Sequence, residues 1–300
     1  MYGGFWYNLK NAFNHKDSGL YKILAINILL YLILMVVRVF LTLWGMEGVY
    51  RGMLSYFMMP ASVPYFLSQP WTILTYMFLH EGFFHILFNM LFLYWFGLLV
   101  NEYLGSRKLV NLYILGGIAG GLFYMLIYNI APLFSNQVQG ALMLGASAGV
   151  YAVVVGAATL SPNTSFHLIL LGPVKIKYIA IFYVLVAFAN SSGSNAGGEL
   201  AHLGGAALGF FYILQLQKGR DLGYPVQWVG GFFKSLFSKK PKVKVTYRKS
   251  NSDYSASQPK RNVNVSTQEE IDKILDKIAE KGYDNLTKEE KRKLFDFSNK

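Results

Sequence analysis

PWTILTYMFLHEGFFHILFNMLFLYWFG, residues 70–97, starts with a proline and a mixed polar and aromatic segment. It ends in an apolar run that no Lys, Arg, Asp or Glu interrupts after Glu81. Inside that run stand His85 and Asn89, four residues apart and therefore on one face of a helix. A bilayer core takes roughly 20 apolar residues per helix, and the chain offers such runs at 20–44, 83–100, 108–128, 141–160, 176–190 and 200–217. The fold class read from them is an all-α membrane protein of six transmembrane helices. Composition agrees: 53% of the residues are hydrophobic and 15% charged, where a soluble domain carries about 25% charged residues.

Charge is concentrated at one end. Of 28 Lys and Arg, 9 precede residue 218 and 19 follow from there; of 16 Asp and Glu, 5 precede it and 11 follow. Lys10, Lys16, Lys22, Arg107, Lys108, Lys175, Lys177, Lys218 and Arg220 fall on one side of the six-span bundle, against Arg38 and Arg51 on the other. The excess of basic residues on cytoplasmic loops then puts both termini in the cytoplasm. Four parts are expected: a cytoplasmic N-terminal segment at 1–19, a membrane core at 20–217, an interfacial and basic linker at 218–265, and a helical tail at 266–300. The long connection from Gly45 to Gly82 is too aromatic for a solvated loop and too broken by proline for a span, which places it in the interface.

Val226, Trp228, Val229, Phe232, Phe233 and Leu236 suit a helix lying on the inner leaflet, with Lys239, Lys240, Lys242, Lys244, Arg248 and Lys249 beside anionic lipid. Ser266 with Glu269, and Thr287 with Glu290, are capping-box pairs that start two short helices, with Gly282 as the stop between them. The basic tail adjoins a membrane span and carries no nucleic-acid-binding motif, so no nucleic-acid partner is expected. Cysteine is absent, which excludes disulfides, thiolate metal sites and a cysteine nucleophile.

Ionisable groups inside a membrane are costly and are functional candidates by default. Counting along the alternating spans, His85 and Asn89 lie near the outer end of the second, Ser147 near that of the fourth and His202 near that of the sixth. Ser147 sits in Gly145-Ala146-Ser147-Ala148-Gly149 and His202 in Glu199-Leu-Ala-His-Leu-Gly-Gly-Ala-Ala-Leu-Gly209. The G-x-S-x-G pattern carries little weight alone, because small residues four apart also let membrane helices approach closely, as do Gly116 and Gly120, Gly117 and Gly121, and Gly205 and Gly209. Between Asp17 and Asp221 there is no aspartate, which leaves a Ser-His dyad rather than a Ser-His-Asp triad. His85 and Asn89 supply side-chain donors of the kind an oxyanion hole needs.

Together these residues resemble the rhomboid family of intramembrane serine proteases. The stretch at 70–97 resembles its second span, with the His-x-x-x-x-His-x-x-x-Asn pattern on His80, His85 and Asn89. GASAG followed by Tyr151 resembles its nucleophile segment, and Ala201-His202-x-x-Gly205-x-x-x-Gly209 its base helix. The resemblance covers residues 20–217 and implies a rhomboid-like bundle. In it Ser147 is the nucleophile and His202 the general base and acid. His85, Asn89 and the Ser147 N–H form the oxyanion hole, Tyr151 packs on His202, and Gly145, Gly149, Gly205 and Gly209 support the site. It implies no cofactor and no metal, and single-span membrane proteins as substrates. The loop NSSGSNAGG, residues 190–198, and the short fifth span are candidates for a gate.

Three other readings fit less well. A metalloprotease is disfavoured because His80 and His85 are five apart, about 140° around a helix, where zinc needs histidines at i and i+4. A catalytically silent rhomboid-like binding or quality-control protein for membrane helices has no need of nucleophile, base and donors together. A transporter would line a pathway with polar groups rather than gather them at one depth. The N-terminus shows neither a signal peptide nor a transit peptide, from which an unprocessed chain in a bacterial cytoplasmic membrane is expected, its site open to the outer side.

Overall fold

The computed structural model describes residues 4–14, 18–168, 172–237 and 268–298. The chain divides into two units, Met1–Lys240 and Pro241–Lys300. Lys16, the basic run from Lys239 to Lys249, the linker after it and Ser266 lie outside the described residues.

The first unit is helical almost throughout. A short α1 (Phe5–Lys10) precedes α2 (Gly19–Leu43), whose 25 residues measure about 37 Å at the helical rise. The first part of α2 buries Leu20, Tyr21, Ile23, Leu24 and Asn27. Its second part exposes Leu32, Ile33, Val36, Val39, Phe40 and Leu43, an apolar face whose natural solvent is lipid. The connection to the next long helix is folded as the sequence anticipates, in pieces too short to cross a bilayer: α3 (Glu47–Ser55), β1 (Met59–Pro60), α4 (Val63–Ser68), α5 (Thr72–Thr75) and a 3₁₀ turn at Tyr76–Phe78.

Helix α6 (Phe83–Ile130) is broken at Gly105, whose φ of 78° and ψ of 164° are not helical. The break reverses the chain. Unbroken, Gly117 would stand about 50 Å from Phe83, yet the Tyr76 hydroxyl, seven residues before Phe83, donates to the Gly117 carbonyl at 2.7 Å. The Tyr113 hydroxyl likewise donates to the Met77 carbonyl at 2.9 Å. The two arms, 83–104 and 106–130, match the second and third apolar runs of the sequence.

Next come β2 (Leu142–Met143), α7 (Ser147–Leu160), the hairpin of β3 (Ser165–Leu168) and β4 (Gly172–Lys175), α8 (Ile176–Asn190), α9 (Ala196–Gln217) and α10 (Tyr224–Phe237). Two boundaries differ from the sequence reading. The fourth apolar run is helical only from Ser147, because Leu142 and Met143 are extended and pair antiparallel with Pro60 and Met59. The sixth helix starts at Ala196 rather than 200, which puts His202 in its second turn. Two small strand pairs thus interrupt an architecture expected to be purely helical. Among the described residues α2, α6 and α9 are long and apolar enough to cross a membrane, while α7 and α8 are shorter apolar helices.

Small residues set the core. Ala148 and Ala152 of α7 lie between glycines of both neighbours. A Cβ on Gly120 of α6 would come within 2.5 Å of Ala148 Cβ and 2.6 Å of the Ala201 carbonyl oxygen of α9. On the other side Gly205 abuts the Ala148 carbonyl, and a Cβ on Gly209 would fall 2.8 Å from Ala152 Cα. Three helix backbones therefore meet at distances that larger residues forbid.

At the opposite end, Asp221 ties the break in α6 to the end of α9. Its carboxylate pairs with Lys108 and accepts from the Gly223 N–H at 2.8 Å and the Tyr212 hydroxyl at 3.3 Å. Burial pulls this carboxyl up, but Lys108, the Gly223 N–H and Gln227 outweigh it and hold it below the ordinary range.

The second unit pairs α11 (Gln268–Lys281) with α12 (Lys288–Ser298) around Ile271, Ile274 and Leu286. The capping box read from the sequence is present: the Thr287 N–H donates to Glu290 at 2.7 Å and the Glu290 N–H to Thr287 Oγ1 at 3.3 Å. Lys277, 2.8 Å away, and the Thr287 N–H hold the Glu290 carboxyl down at about 2.

Candidate active site

The hydroxyl of Ser147 stands at the first residue of α7. The sequence reading put it about six residues into a helix, and the difference is chemical as well as geometric. The first N–H groups of a helix have no carbonyl partner inside it, and they carry the positive end of its dipole. Ser147 therefore presents its side chain beside unpaired backbone donors. The chain enters α7 through Gly145, whose φ of 135° only glycine adopts without strain. The Gly145 N–H is fixed by donation to the Tyr76 carbonyl at 2.9 Å, so the loop before Ser147 is anchored to the 3₁₀ turn before α6.

His85, Asn89, Ser147, Tyr151 and His202 line one cavity of about 530 Å³ between α6, α7, α8 and α9, bordered also by Phe84, Phe88, Phe92, Phe182, Tyr183 and Val186. A Cβ placed on Gly145 would lie 3.1 Å from His85 Nε2 and 3.4 Å from Ser147 Oγ. His85 and Ser147 thus both lie beside the Cα of Gly145, which has no side chain. Asn89 is buried, and its side-chain amide donates one hydrogen to the His85 carbonyl at 3.0 Å, leaving the second for the cavity. The His80 ring meets the His85 ring edge-on at 5.1 Å.

His202 is held on two sides. The Tyr151 ring stacks on it with centroids 4.2 Å apart and planes 8° from parallel. Its Nδ1 lies 3.0 Å from Glu199 Oε2, and both side chains are only 13% and 15% exposed. Ser147 and His202 share the cavity without a direct hydrogen bond between them. Of the remaining glycines singled out in the sequence, Gly149, Gly205 and Gly209 do not reach the cavity; they set the approach of α7 to Tyr113 and to α9. Glu199 escaped the sequence reading because the search for a third residue was confined to aspartate. The signal was present as a Glu three residues before the histidine, one turn away on the same helical face.

A mostly helical chain with long apolar helices, and with a cavity between helix segments that His85, Asn89, Ser147 and His202 line, is a membrane protein with a built site. The rhomboid domain model matches residues 67–218, and the chain belongs to the rhomboid family. A family of unknown function (DUF6576) matches residues 261–300. Among curated proteins the chain is similar to RHOMBOID-like protein 12, mitochondrial, of Arabidopsis thaliana. The two are 31% identical over 159 residues, 50% of this chain and 47% of that one. It is also similar to Rhomboid protein 1, mitochondrial, of Saccharomyces cerevisiae, 26% identical over 207 residues, 68% of this chain and 55% of that one. The chain spans about half the length of these relatives. Their organelle names do not fit the bacterial location expected from the sequence; the coarser statement, a membrane protein, stands.

Proposed function

We propose that the protein is an intramembrane serine endopeptidase that cuts transmembrane-helix substrates near the outer membrane face. The observation that carries this reading is the shared cavity. A serine at a helix N-terminus, a histidine stacked and hydrogen-bonded from a second helix, and two further donors from a third converge on one empty volume. A binder of helices has no use for that combination.

In the reaction, Ser147 Oγ attacks the substrate carbonyl as His202 Nε2 takes its proton. The developing oxyanion occupies the volume in front of Gly145, facing His85, the free amide hydrogen of Asn89 and the Ser147 N–H. Each well-placed donor lowers the barrier by roughly 3 to 4 kcal/mol. His202 returns the proton to the leaving amine, and water hydrolyses the acyl-enzyme by the same route. Both arms of α6, together with α2, α7, α8 and α9, form six spans with both termini in the cytoplasm and the cavity open to the outer side. Trp228 and Val229, exposed on α10, favour a helix lying on anionic inner-leaflet lipid.

The test is cleavage of a single-span substrate with helix-weakening residues near its outer end, by purified protein in liposomes. Ser147→Ala and His202→Ala are each expected to abolish cleavage, with chelators without effect. An active Ser147→Ala protein overturns the reading.

A further inference from the structure

We infer that Glu199 is the positioning residue of His202, acting through it on the Ser147–His202 dyad; the inference rests on the protease reading above. Glu199 is the sole acidic residue of α9, within its first turn, the end of a helix where a negative charge is best tolerated. A carboxylate in a membrane helix is costly unless a partner accepts its charge. The partner here is His202 Nδ1 at 3.0 Å, held in place by the stacked Tyr151 ring.

An ionised carboxylate only accepts hydrogen bonds. At that distance the proton of a neutral imidazole therefore sits on Nδ1, and Nε2 is left as the bare nitrogen that can take a proton. During attack, Ser147 Oγ–H transfers its proton to Nε2. The Nδ1 proton stays on the ring, hydrogen-bonded to Glu199, and the carboxylate faces the imidazolium that forms. Besides Glu199, the titratable groups facing His202 are His85 from α6, Tyr151 from α7 and Tyr183 from α8, and none of these presents a carboxylate.

The same residues explain why the aspartate-free membrane body does not lack an orienting acid. It comes from one turn earlier on the base's own helix rather than from a separate strand or loop. The geometry needs no extra packing, because residues three apart on a helix face each other.

The experiment uses the full chain in liposomes, histidine-labelled with ¹⁵N, with His202→Ala as the assignment control. NMR is expected to report His202 protonated at Nδ1 in the unaltered protein and a mixture of both tautomers in Glu199→Gln and Glu199→Ala. In cleavage assays Glu199→Gln is expected to lower kcat toward the ~10⁴-fold loss that a wrong histidine tautomer causes in serine proteases, with KM within about twofold and the thermal midpoint unchanged, while Glu199→Asp recovers part of the loss. A Glu199→Gln protein with kcat within threefold of the parent, or with His202 still protonated only at Nδ1, overturns the inference. If the unaltered protein cleaves nothing, the protease reading fails, and the tautomer measurement still decides whether Glu199 sets the ring.

Discussion

Helices α7 and α8 border the same cavity and are packed in opposite ways. From Ala148 to Ala158, α7 buries every residue except Val155. α8 buries only Ile176, Ala180 and Ala187 and exposes Tyr178, Ile181, Phe182, Leu185 and Phe188. Beside α8, an apolar cavity of about 480 Å³ separates it from the first arm of α6, spanned by residues such as Trp95, Phe166 and Ile179. The lesson is a division of labour within one site. Ser147 is mounted on a helix locked between glycine-lined neighbours, while the opposite wall touches protein along one narrow edge and offers its remaining surface to lipid.

The largest expected effect strikes the locked side. Gly209→Leu drives a side chain into the Ala152 backbone, where a first carbon alone would be 2.8 Å from Cα. A loss of about 3 kcal/mol or more is expected, with cleavage abolished. Detergent-titrated unfolding reads it, and a parent-like midpoint would dissolve the contrast between the two helices.

Next in size is a constraint on the loose side. Because the chain has no cysteine, Trp95→Cys and Ile179→Cys can be bridged cleanly by a short bifunctional thiol reagent across the apolar cavity. Bridging is expected to slow cleavage of a membrane-helix substrate about tenfold or more, as tethering a lid does, without lowering the thermal midpoint. Undiminished cleavage by the bridged protein rules out α8 as the moving wall. The smallest effect compares truncations of similar kind. Val154→Ala in α7 is expected to cost about 1–2 kcal/mol, and Leu185→Ala in α8 less than about 0.5 kcal/mol. Equal costs would mean that exposure misjudges how α8 is held.

Much of this arrangement was legible in the sequence. The runs at 20–44, 83–100, 108–128 and 176–190 fall within a few residues of α2, the two arms of α6 and α8, since unbroken apolar length is a strong signal. The placing of His85 and Asn89, Ser147 and His202 on alternate apolar runs was legible too, because depth follows from counting residues. The start of α7 was not. Ala141 to Ala146 is as apolar as the helix it precedes, and hydrophobicity cannot separate a buried extended segment from a helical one. What makes it extended is a partner 84 residues earlier: Met59 opposite Met143. Such a pairing leaves no local trace. The role of Glu199 was hidden differently, by chemical habit rather than distance, since glutamate serves as well as aspartate wherever helix geometry brings it to the ring.

Residue 145 shows what it costs to keep a place free. An alanine there would strain the backbone and set its methyl 3.1 Å from the His85 ring and 3.4 Å from Ser147 Oγ, so the ring would have to give way. The backbone angle and the closeness of the His85 ring independently favour glycine there. A single added carbon at residue 145 would therefore disturb His85 and Ser147 together.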